Sequence, residues 1–167
     1  MKSMKGMAMT QKESKLPISY KTIWETLRGI DTSKLVTKKG SMDYINWADA
    51  WVCIMGHYPD AKYSFPAPVF YSCYDKDLGE AVTCEVHCVV DINGLTREMH
   101  LAVMQTALPM KSIPNPTSRE ISDAKARCLV KTLAMFGFGL YLWEKGNKTT
   151  SYKTKKKKIE AFKGKPF

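Results

Sequence analysis

The sequence lacks the long apolar segments of several protein classes. No apolar run reaches the roughly 18 residues of a membrane span, so we expect no transmembrane helix and no membrane partner. The basic N-terminal stretch MKSMKGMAMTQKESK has no apolar core of roughly 7–15 residues, which a secretory signal would require. We therefore expect the chain to stay in the cytoplasm.

Paired cysteines and clustered histidines are also missing. The five cysteines are odd in number and show no Cys-x-x-Cys spacing, which favours free thiols of a cytosolic protein. Cys84 and Cys88 enclose His87, but on a strand the two cysteines would share one face and His87 would point to the other. Apolar strand packing is therefore preferred over a metal site, and we predict no metal and no cofactor.

Net positive charge is missing from the middle of the chain and is concentrated at its two ends. The net charge is +10, yet residues 16–144 carry thirteen basic and fourteen acidic residues. We predict one domain over residues 16–145, a flexible basic N-terminus over 1–15 and a disordered Lys-rich tail over 146–167. Such a tail either attracts polyanions without reading their sequence or serves solubility alone. Specific chemistry must then come from the nearly neutral middle.

Helical periodicity marks two segments before the middle of the chain. Residues 18–29 place apolar side chains at helical spacing, and Gly29 ends the pattern. Residues 31–43 are read as a polar segment. Asn46 is a predicted N-cap of the second helix, which Gly56 and Pro59 end. Its predicted apolar stripe is Trp47, Trp51, Ile54 and Met55.

The pattern then changes to that of strands. Residues 61–106 predict a three-stranded antiparallel meander, with turns at residues 75–79 and at Asn93-Gly94. Val82, Cys84, Val86 and Cys88 are predicted to face one way. After a proline-marked loop, Thr117 or Ser118 caps a helix that runs to about Phe136. The predicted fold is α+β: a β-meander packed with a long C-terminal helix (a β-β-β-α core) plus N-terminal helices.

The long helix carries two cations among apolar residues. Leu129, Leu133 and Phe136 define its predicted core side, together with Ala126 and Val130. Arg127 and Lys131 fall within about 40° of each other on the opposite side. Ala124 and Ala134 are their neighbours there, which predicts a shallow basic strip facing away from the core. A merely solvated pair of cations is the alternative, but cations near aromatic residues are what phosphates and exposed bases need.

A Gly-Phe-Gly break follows this helix. We predict that Gly137 and Gly139 end or kink it. Residues 140–143 would then pack in a new direction, on the same chain or on a neighbouring subunit.

Two motifs resemble a known family. SREISDAKARCLVKTLAMFGFGLYLW, preceded by AVMQTALPMKSIPNPT, is similar to the phage Sak-type single-strand annealing proteins, relatives of the eukaryotic Rad-fifty-two annealing superfamily. The upstream string KKGSMDYINWADAWVCIMGHYPDAKY resembles the entry motif of the same family. The likeness spans about residues 20–145 in the same order.

The resemblance implies a function and a set of site residues. Such proteins form oligomeric rings or filaments in which a basic groove binds single-stranded DNA and complementary strands are annealed in recombination and repair. The reaction needs no ATP, and the sequence has no Gly-x-x-x-x-Gly-Lys-Ser/Thr loop. The implied partners are single-stranded DNA, further copies of the chain, and a single-strand-binding protein or phage exonuclease in a bacterial host. The candidate DNA-binding residues are Lys38, Lys39, Tyr44, Lys111, Arg119, Arg127 and Lys131.

Three other functions stay open at this point. The chain could protect single-stranded DNA without annealing it, or act as a structural adaptor whose basic tail binds nucleic acid. A metal-dependent nuclease built from Asp75, Asp77, Glu80, Glu85, Asp91 and Glu98, or from His57, His87 and His100, is the third. Asp75 to Glu80 reads better as a hairpin turn, and the histidines lack a spacing such as His-x-x-x-His, so we expect no enzyme.

Overall fold

The protein is described by a computed structural model that covers residues 18–39, 42–106 and 110–144. The predicted terminal segments 1–15 and 146–167 lie outside these residues, and the proposed domain limits stay a prediction. The described helices are α1 (Tyr20–Gly29), α2 (Trp47–His57) and α3 (Ser118–Ala134). The described strands are β1 (Val36–Lys39), β2 (Met42–Ile45), β3 (Lys62–Ser64), β4 (Val69–Asp75), β5 (Gly79–Ile92) and β6 (Leu95–Ala102).

The α+β class is confirmed, but the main sheet has four strands rather than three. The predicted first strand splits into β3 and β4 around Pro66 and Pro68, because proline has no N–H to continue a ladder. Both pieces pair antiparallel with β5 on one edge, and β6 pairs with the other edge. The long strand β5 is therefore the centre of the sheet.

The β5–β6 hairpin follows the predicted Asn93-Gly94 turn. Asn93 and Gly94 have φ angles of 54° and 82°, the left-handed pair that a tight two-residue turn requires. Ile92 pairs with Leu95, and every pair further out follows from that register. This turn thereby decides which side chains of β5 and β6 stand side by side.

The core lies between the sheet and α3. Cys84, Val86 and Cys88 are buried as predicted, whereas Val82 is 36% exposed near the far end of β5. In α3, the Cys128 thiol donates to the carbonyl of Met99 at 3.2 Å, and burial raises its pKa to about 12. This protonated thiol belongs to the packing of the helix on the sheet.

The second helix is less buried than its sequence indicates. Asn46 caps it as predicted, since its side chain accepts from the backbone N–H of Ala48. Ile54 is buried and Trp51 is partly buried against the core. Trp47, predicted to pack in the core, is 42% exposed.

The polar segment 31–43 contains structure that its composition did not predict. A short 3₁₀ turn at Ser33–Leu35 leads into a two-stranded sheet of β1 and β2. Buried Ile45 at the end of β2 lies against Gly139, where a Cβ atom would come within 3.1 Å of the Ile45 Cδ1 atom. The small sheet is therefore seated beside the end of α3.

The Gly-Phe-Gly break has a packing cause. Gly137 has a φ of 101°, and a Cβ atom there would come within 3.1 Å of the Trp24 carbonyl oxygen and 3.2 Å of the Arg28 Cβ atom. Phe136 and Phe138 on either side are buried. Glycine thus lets the chain turn after α3 at the place where α1 lies closest.

The residues after the break pack on their own chain. Thr32 is buried and donates a hydrogen bond to the Tyr141 hydroxyl at 2.9 Å. Glu144 forms an ion pair with Arg28 at 2.9 Å, and Leu142 packs against the core. Trp143, by contrast, is 46% exposed.

Candidate nucleic-acid interface

The start of α3 is fixed by a capping box. The Thr117 hydroxyl accepts from the Glu120 backbone N–H, and the Glu120 carboxylate accepts from the Thr117 N–H at 2.8 Å. These bonds hold the pKa of Glu120 below its usual range. The cap sets where α3 begins, and so which side chains of the helix reach the edge of the sheet.

The face of α3 that carries the two cations is not open in the way the sequence suggested. Ala124 and Ala134, predicted to flank an outward strip, are both buried. The reason is that α3 is covered on two sides. Cys128 and Thr132 contact carbonyl groups of β5 and β6, while Leu129 and Leu133 are buried in the same core. The two cations therefore lie at the flank of the packed surface rather than on the open strip that the sequence predicted.

Arg127 and Lys131 instead lie half-buried beside the sheet. The Arg127 Nη2 group donates to the Met104 carbonyl at 3.4 Å, and its Nε atom is buried without a hydrogen-bond partner. Among residues 18–39, 42–106 and 110–144, neither cation forms an ion pair. Asp123, four residues before Arg127, forms no ion pair with it either, so this edge keeps two uncompensated positive charges.

A shallow cleft of about 210 Å³ lies at the C-terminal end of α3. Met135, one helical turn beyond Lys131, contributes to its lining. From α1 it is lined by Tyr20, Lys21 and Trp24, and from β6 by Arg97. We call the cations Lys21, Arg97, Arg127 and Lys131 the basic margin.

Aromatic rings accompany the cations in this cleft. Trp24 and Tyr20 are 36% and 39% exposed, and the Arg97 guanidinium lies 4.0 Å from the centre of the Tyr20 ring. The Tyr20 hydroxyl donates to the Thr96 carbonyl at 2.8 Å, which fixes the ring. The Tyr20 ring also stacks on Phe136 with centroids 6.4 Å apart, and the Arg28 guanidinium lies 5.3 Å from the centre of the Trp24 ring. The cleft therefore presents partly exposed rings together with cations, a combination that suits single-stranded nucleic acid.

The cleft residues were missed at the level of sequence. Lys21 and Trp24 belong to a short N-terminal helix, and Arg97 belongs to a strand more than 70 positions later. No local spacing joins them. Only the docking of α1 against the end of α3 brings them together.

Lys111 lies near Arg127. Its carbonyl accepts from the Gln105 N–H at 2.9 Å, and the neighbouring Ser112 bridges Met104, whose own carbonyl accepts from Arg127. Arg119 is exposed in the first turn of α3, about 12 Å along the axis from Arg127. Lys111 therefore joins the candidate edge more closely than Arg119 does.

The remaining candidates lie on the small β1–β2 sheet. The Lys38 ammonium pairs with the Asp43 carboxylate at 2.7 Å, so its charge is partly neutralised. Lys39 is the last residue of β1, and Tyr44 is half-buried on β2. This sheet lies beside the end of α3, and among the described residues none of its side chains is hydrogen-bonded or ion-paired to Arg127 or Lys131.

The possible metal ligands fall on opposite faces of the main sheet. Cys84 and Cys88 are buried toward α3, where burial raises the pKa of both thiols. His87 lies on the other face, as its position between them predicts, beside Glu85 and His100. Asp75 accepts from the N–H groups of Asp77 and Leu78, which confirms the hairpin turn.

A family comparison gives this geometry a context. The model of the Sak single strand annealing protein family matches residues 21–162, which is most of the chain. The chain belongs to this family. A search of curated proteins found no match close enough to count as a relative.

The Sak family assignment confirms the resemblance seen in the two motifs. It makes annealing of single-stranded DNA in recombination the function of the family to which this chain belongs, with single-stranded DNA as the partner. The match includes α1 from Lys21 onward, α3 and the whole basic margin. In the part of this Sak protein that the structure describes, none of the helices has the length and apolar character to cross a bilayer.

Proposed function

We propose that this protein binds single-stranded DNA along the basic margin and anneals complementary strands without ATP. The observation that carries the proposal is the pair of uncompensated cations, Arg127 and Lys131, leading into a cleft with exposed aromatic rings. Phosphate contacts hold a strand without reading its sequence. Base edges stay free to test a complementary strand, which annealing requires.

The electrostatics of the margin predict a strong salt dependence. Each phosphate neutralised on a single strand contributes a slope of about −0.7 to log affinity against log salt. Four cations in the margin would give a slope near −3 for each subunit that engages the strand. Repetition of the margin in an oligomer multiplies the contacts along one strand.

The direct test compares wild type with the double variant Lys21→Gln/Lys131→Gln in ATP-free annealing of complementary oligonucleotides. Lys21 is exposed and Lys131 carries no ion pair, so the fold should persist. We expect a shallower salt slope, by about 1.4, and slower annealing. Lys76→Gln, an exposed cation on the β4–β5 turn, is the matched control.

The outcomes separate the competing functions. Annealing by the double variant at the rate of the Lys76→Gln control would remove the margin from the site. Wild-type protein that binds strands but slows their pairing would be a protective single-strand-binding protein. Loss of DNA length on adding magnesium would show a nuclease, whereas we propose that the protein is not an enzyme.

We further propose that the chain assembles into a ring or filament. The support comes from β4, an edge strand whose Val69, Phe70, Tyr71 and Tyr74 are 38%, 54%, 51% and 80% exposed. Such an apolar edge in a described sheet is a ready surface for another copy. Phe70→Ser should reduce particle size in light scattering, with Val52→Ser as a control at an exposed apolar residue of α2. Unchanged size would place the contact elsewhere.

The cellular setting is part of the same proposal. We propose that the protein acts in the cytoplasm of a bacterial host, beside a single-strand-binding protein or a phage exonuclease that supplies the strands. A mixing experiment tests this: annealing of strands coated with the host's single-strand-binding protein should remain faster than spontaneous pairing.

A further inference from the structure

Two histidines stand side by side on the open face of the main sheet. His87 of β5 and His100 of β6 are direct cross-strand partners, and their rings stack with centroids 4.0 Å apart. Val86 and Cys88, the neighbours of His87, are buried toward α3, so His87 points to the opposite face. Half of the His100 side chain is exposed, which leaves the pair accessible from solvent.

One carboxylate flanks the pair on each side. The Glu85 Oε1 atom lies 3.3 Å from His87 Nε2 and 3.4 Å from His100 Nδ1. The Glu98 Oε1 atom lies 3.5 Å from His87 Nδ1 and 3.3 Å from His100 Nε2. All four ring nitrogens therefore lie next to a carboxylate oxygen.

Two neutral histidine rings carry too few N–H groups for the four contacts with the carboxylates. A neutral imidazole carries one N–H group, so two neutral rings can satisfy only two of the four contacts. The other two contacts place a nitrogen lone pair against a negative oxygen. His87 Nε2, on the Glu85 side, is a buried atom without a hydrogen-bond partner. A cation between Glu85 and the two rings would remove both unfavourable contacts.

The spacing on the Glu85 side suits a small transition-metal ion. The ligand atoms of Glu85, His87 and His100 all lie within 4.8 Å of one another. Zinc bonds of about 2.0–2.1 Å in tetrahedral geometry place two ligand atoms about 3.3 Å apart. The two contacts of Glu85 with the rings, 3.3 and 3.4 Å, have that length.

We propose that Glu85, His87 and His100 bind one Zn²⁺ ion per chain, with water as the fourth ligand. His87 would bind through Nε2 and His100 through Nδ1. Because a nitrogen lone pair lies in its ring plane and the two rings stack at 29°, each ring would rotate about its side chain so that both lone pairs meet at the ion. Glu98 accepts the N–H groups on the other side of both rings, the usual outer partner of a metal-bound imidazole. The Tyr71 hydroxyl, 3.4 Å from Glu85 Oε1, orients the ligand carboxylate. The ion would join β5 to β6 independently of whether the protein anneals DNA.

The test uses the full chain after chelator treatment and dialysis. Calorimetric titration with Zn²⁺ should show one ion per chain, and Zn²⁺ should raise the thermal unfolding midpoint by binding the native state. Co²⁺ should give the visible bands of a four-coordinate ion without the thiolate charge-transfer bands that cysteine ligands would produce.

Three variants locate the ion. His100→Asn removes a half-exposed ligand and should weaken binding at least about 10-fold, and Glu98→Gln should weaken it by about 10- to 100-fold through the lost outer contact. His57→Asn, at an exposed histidine at the end of α2, should bind like wild type. Unfolding midpoints without metal show that each variant is folded, and Glu98→Gln keeps the test decisive if His100→Asn is not.

Each contrary result overturns the site. Absence of Zn²⁺ uptake by wild type would mean that protons alone hold the cluster together. Equal uptake by His100→Asn and wild type, or thiolate bands with Co²⁺, would place the ion on other residues.

Discussion

At the scale of single residues, the two cations of α3 have different tasks. Arg127 reaches the Met104 carbonyl and holds the segment after β6 against the helix, while Lys131 has no such bond among the described residues. Both retain positive charge that no carboxylate of the described chain offsets. Structural and binding roles can therefore be separated by substitution.

We expect Arg127→Ala to lower the free energy of unfolding by about 1 kcal/mol, because a charged hydrogen bond and the packing of its aliphatic stem are lost. Lys131→Ala should change it by less than about 0.5 kcal/mol. Both should weaken binding to single-stranded DNA. Urea unfolding and a fluorescence binding titration measure the two effects, and equal destabilisation by both variants would contradict the division of roles.

Cys128 gives a pH prediction. Its folded-state pKa of about 12 lies above the usual value near 8.5, so its stabilising contribution is complete below pH 8.5 and is lost as pH rises toward 12. The loss should reach roughly 1 kcal/mol by pH 9.5. Cys128→Ala, though less stable at neutral pH, should show a flatter decline over this range in urea unfolding. Parallel curves for the two proteins would contradict the assignment.

The histidine cluster shows how much of a site a sequence can predict. Asn93-Gly94 predicts a two-residue turn, and counting outward from Ile92 and Leu95 pairs His87 with His100. The sequence therefore contains a signal for this pair, which lies in strand register and not in a helical spacing such as His-x-x-x-His. The cleft at Lys21 and Arg97 had no such signal, because it depends on how a distant helix docks.

At the scale of elements, local rules predicted the helix caps and the hairpin turns, while burial around α3 escaped them. Thr117, Asn46 and Asn93-Gly94 each act through neighbours within a few residues, so their sequence is sufficient. The burial of Ala124 depends on covering elements on two sides of the helix. A helical projection assumes one covered side, which is why it placed the cations on an outward strip.

Alanine substitution should have opposite effects on stability at Gly137, in the turn after α3, and at Gly56, in α2. Gly137→Ala places a Cβ atom against the α1 backbone at a φ of 101°, and should cost roughly 2 kcal/mol or more. Gly56→Ala, inside α2 with no atom within 4 Å of the new Cβ, should stabilise the protein by about 0.5–1 kcal/mol. Thermal unfolding distinguishes them, and a neutral Gly137→Ala would show that α1 is not held tightly there.

At the scale of the whole molecule, charge is distributed unevenly. Residues 145–167 carry nine lysines and one glutamate, whereas the middle of the chain is nearly neutral. The basic margin is thus a local excess of positive charge in a domain whose net charge is close to zero. The contribution of the basic chain termini to DNA affinity should therefore be separable, by deletion, from the contribution of the basic margin.

Deleting residues 145–167 tests this separation. We expect the shortened protein to bind single-stranded DNA more weakly and with a shallower salt slope, by about 0.7 for each lost contact, yet to anneal still. In the shortened protein, Lys131→Gln should further reduce DNA binding and annealing, and Lys76→Gln is the control. If all DNA binding leaves with the tail, the chain is an adaptor with a basic tail and the margin has no role.

The docking of α1 has a consequence for co-translational folding of the protein. Arg28 pairs with Glu144 across 116 positions, and Thr32 bonds Tyr141 across 109. The first helix therefore cannot reach its final place until nearly the whole domain has left the exit tunnel. Before then α1 can make only its contacts with the sheet, such as the Tyr20 hydrogen bond to Thr96, and the cleft beside Lys21 and Trp24 is completed only when Met135 and Phe136 are in place.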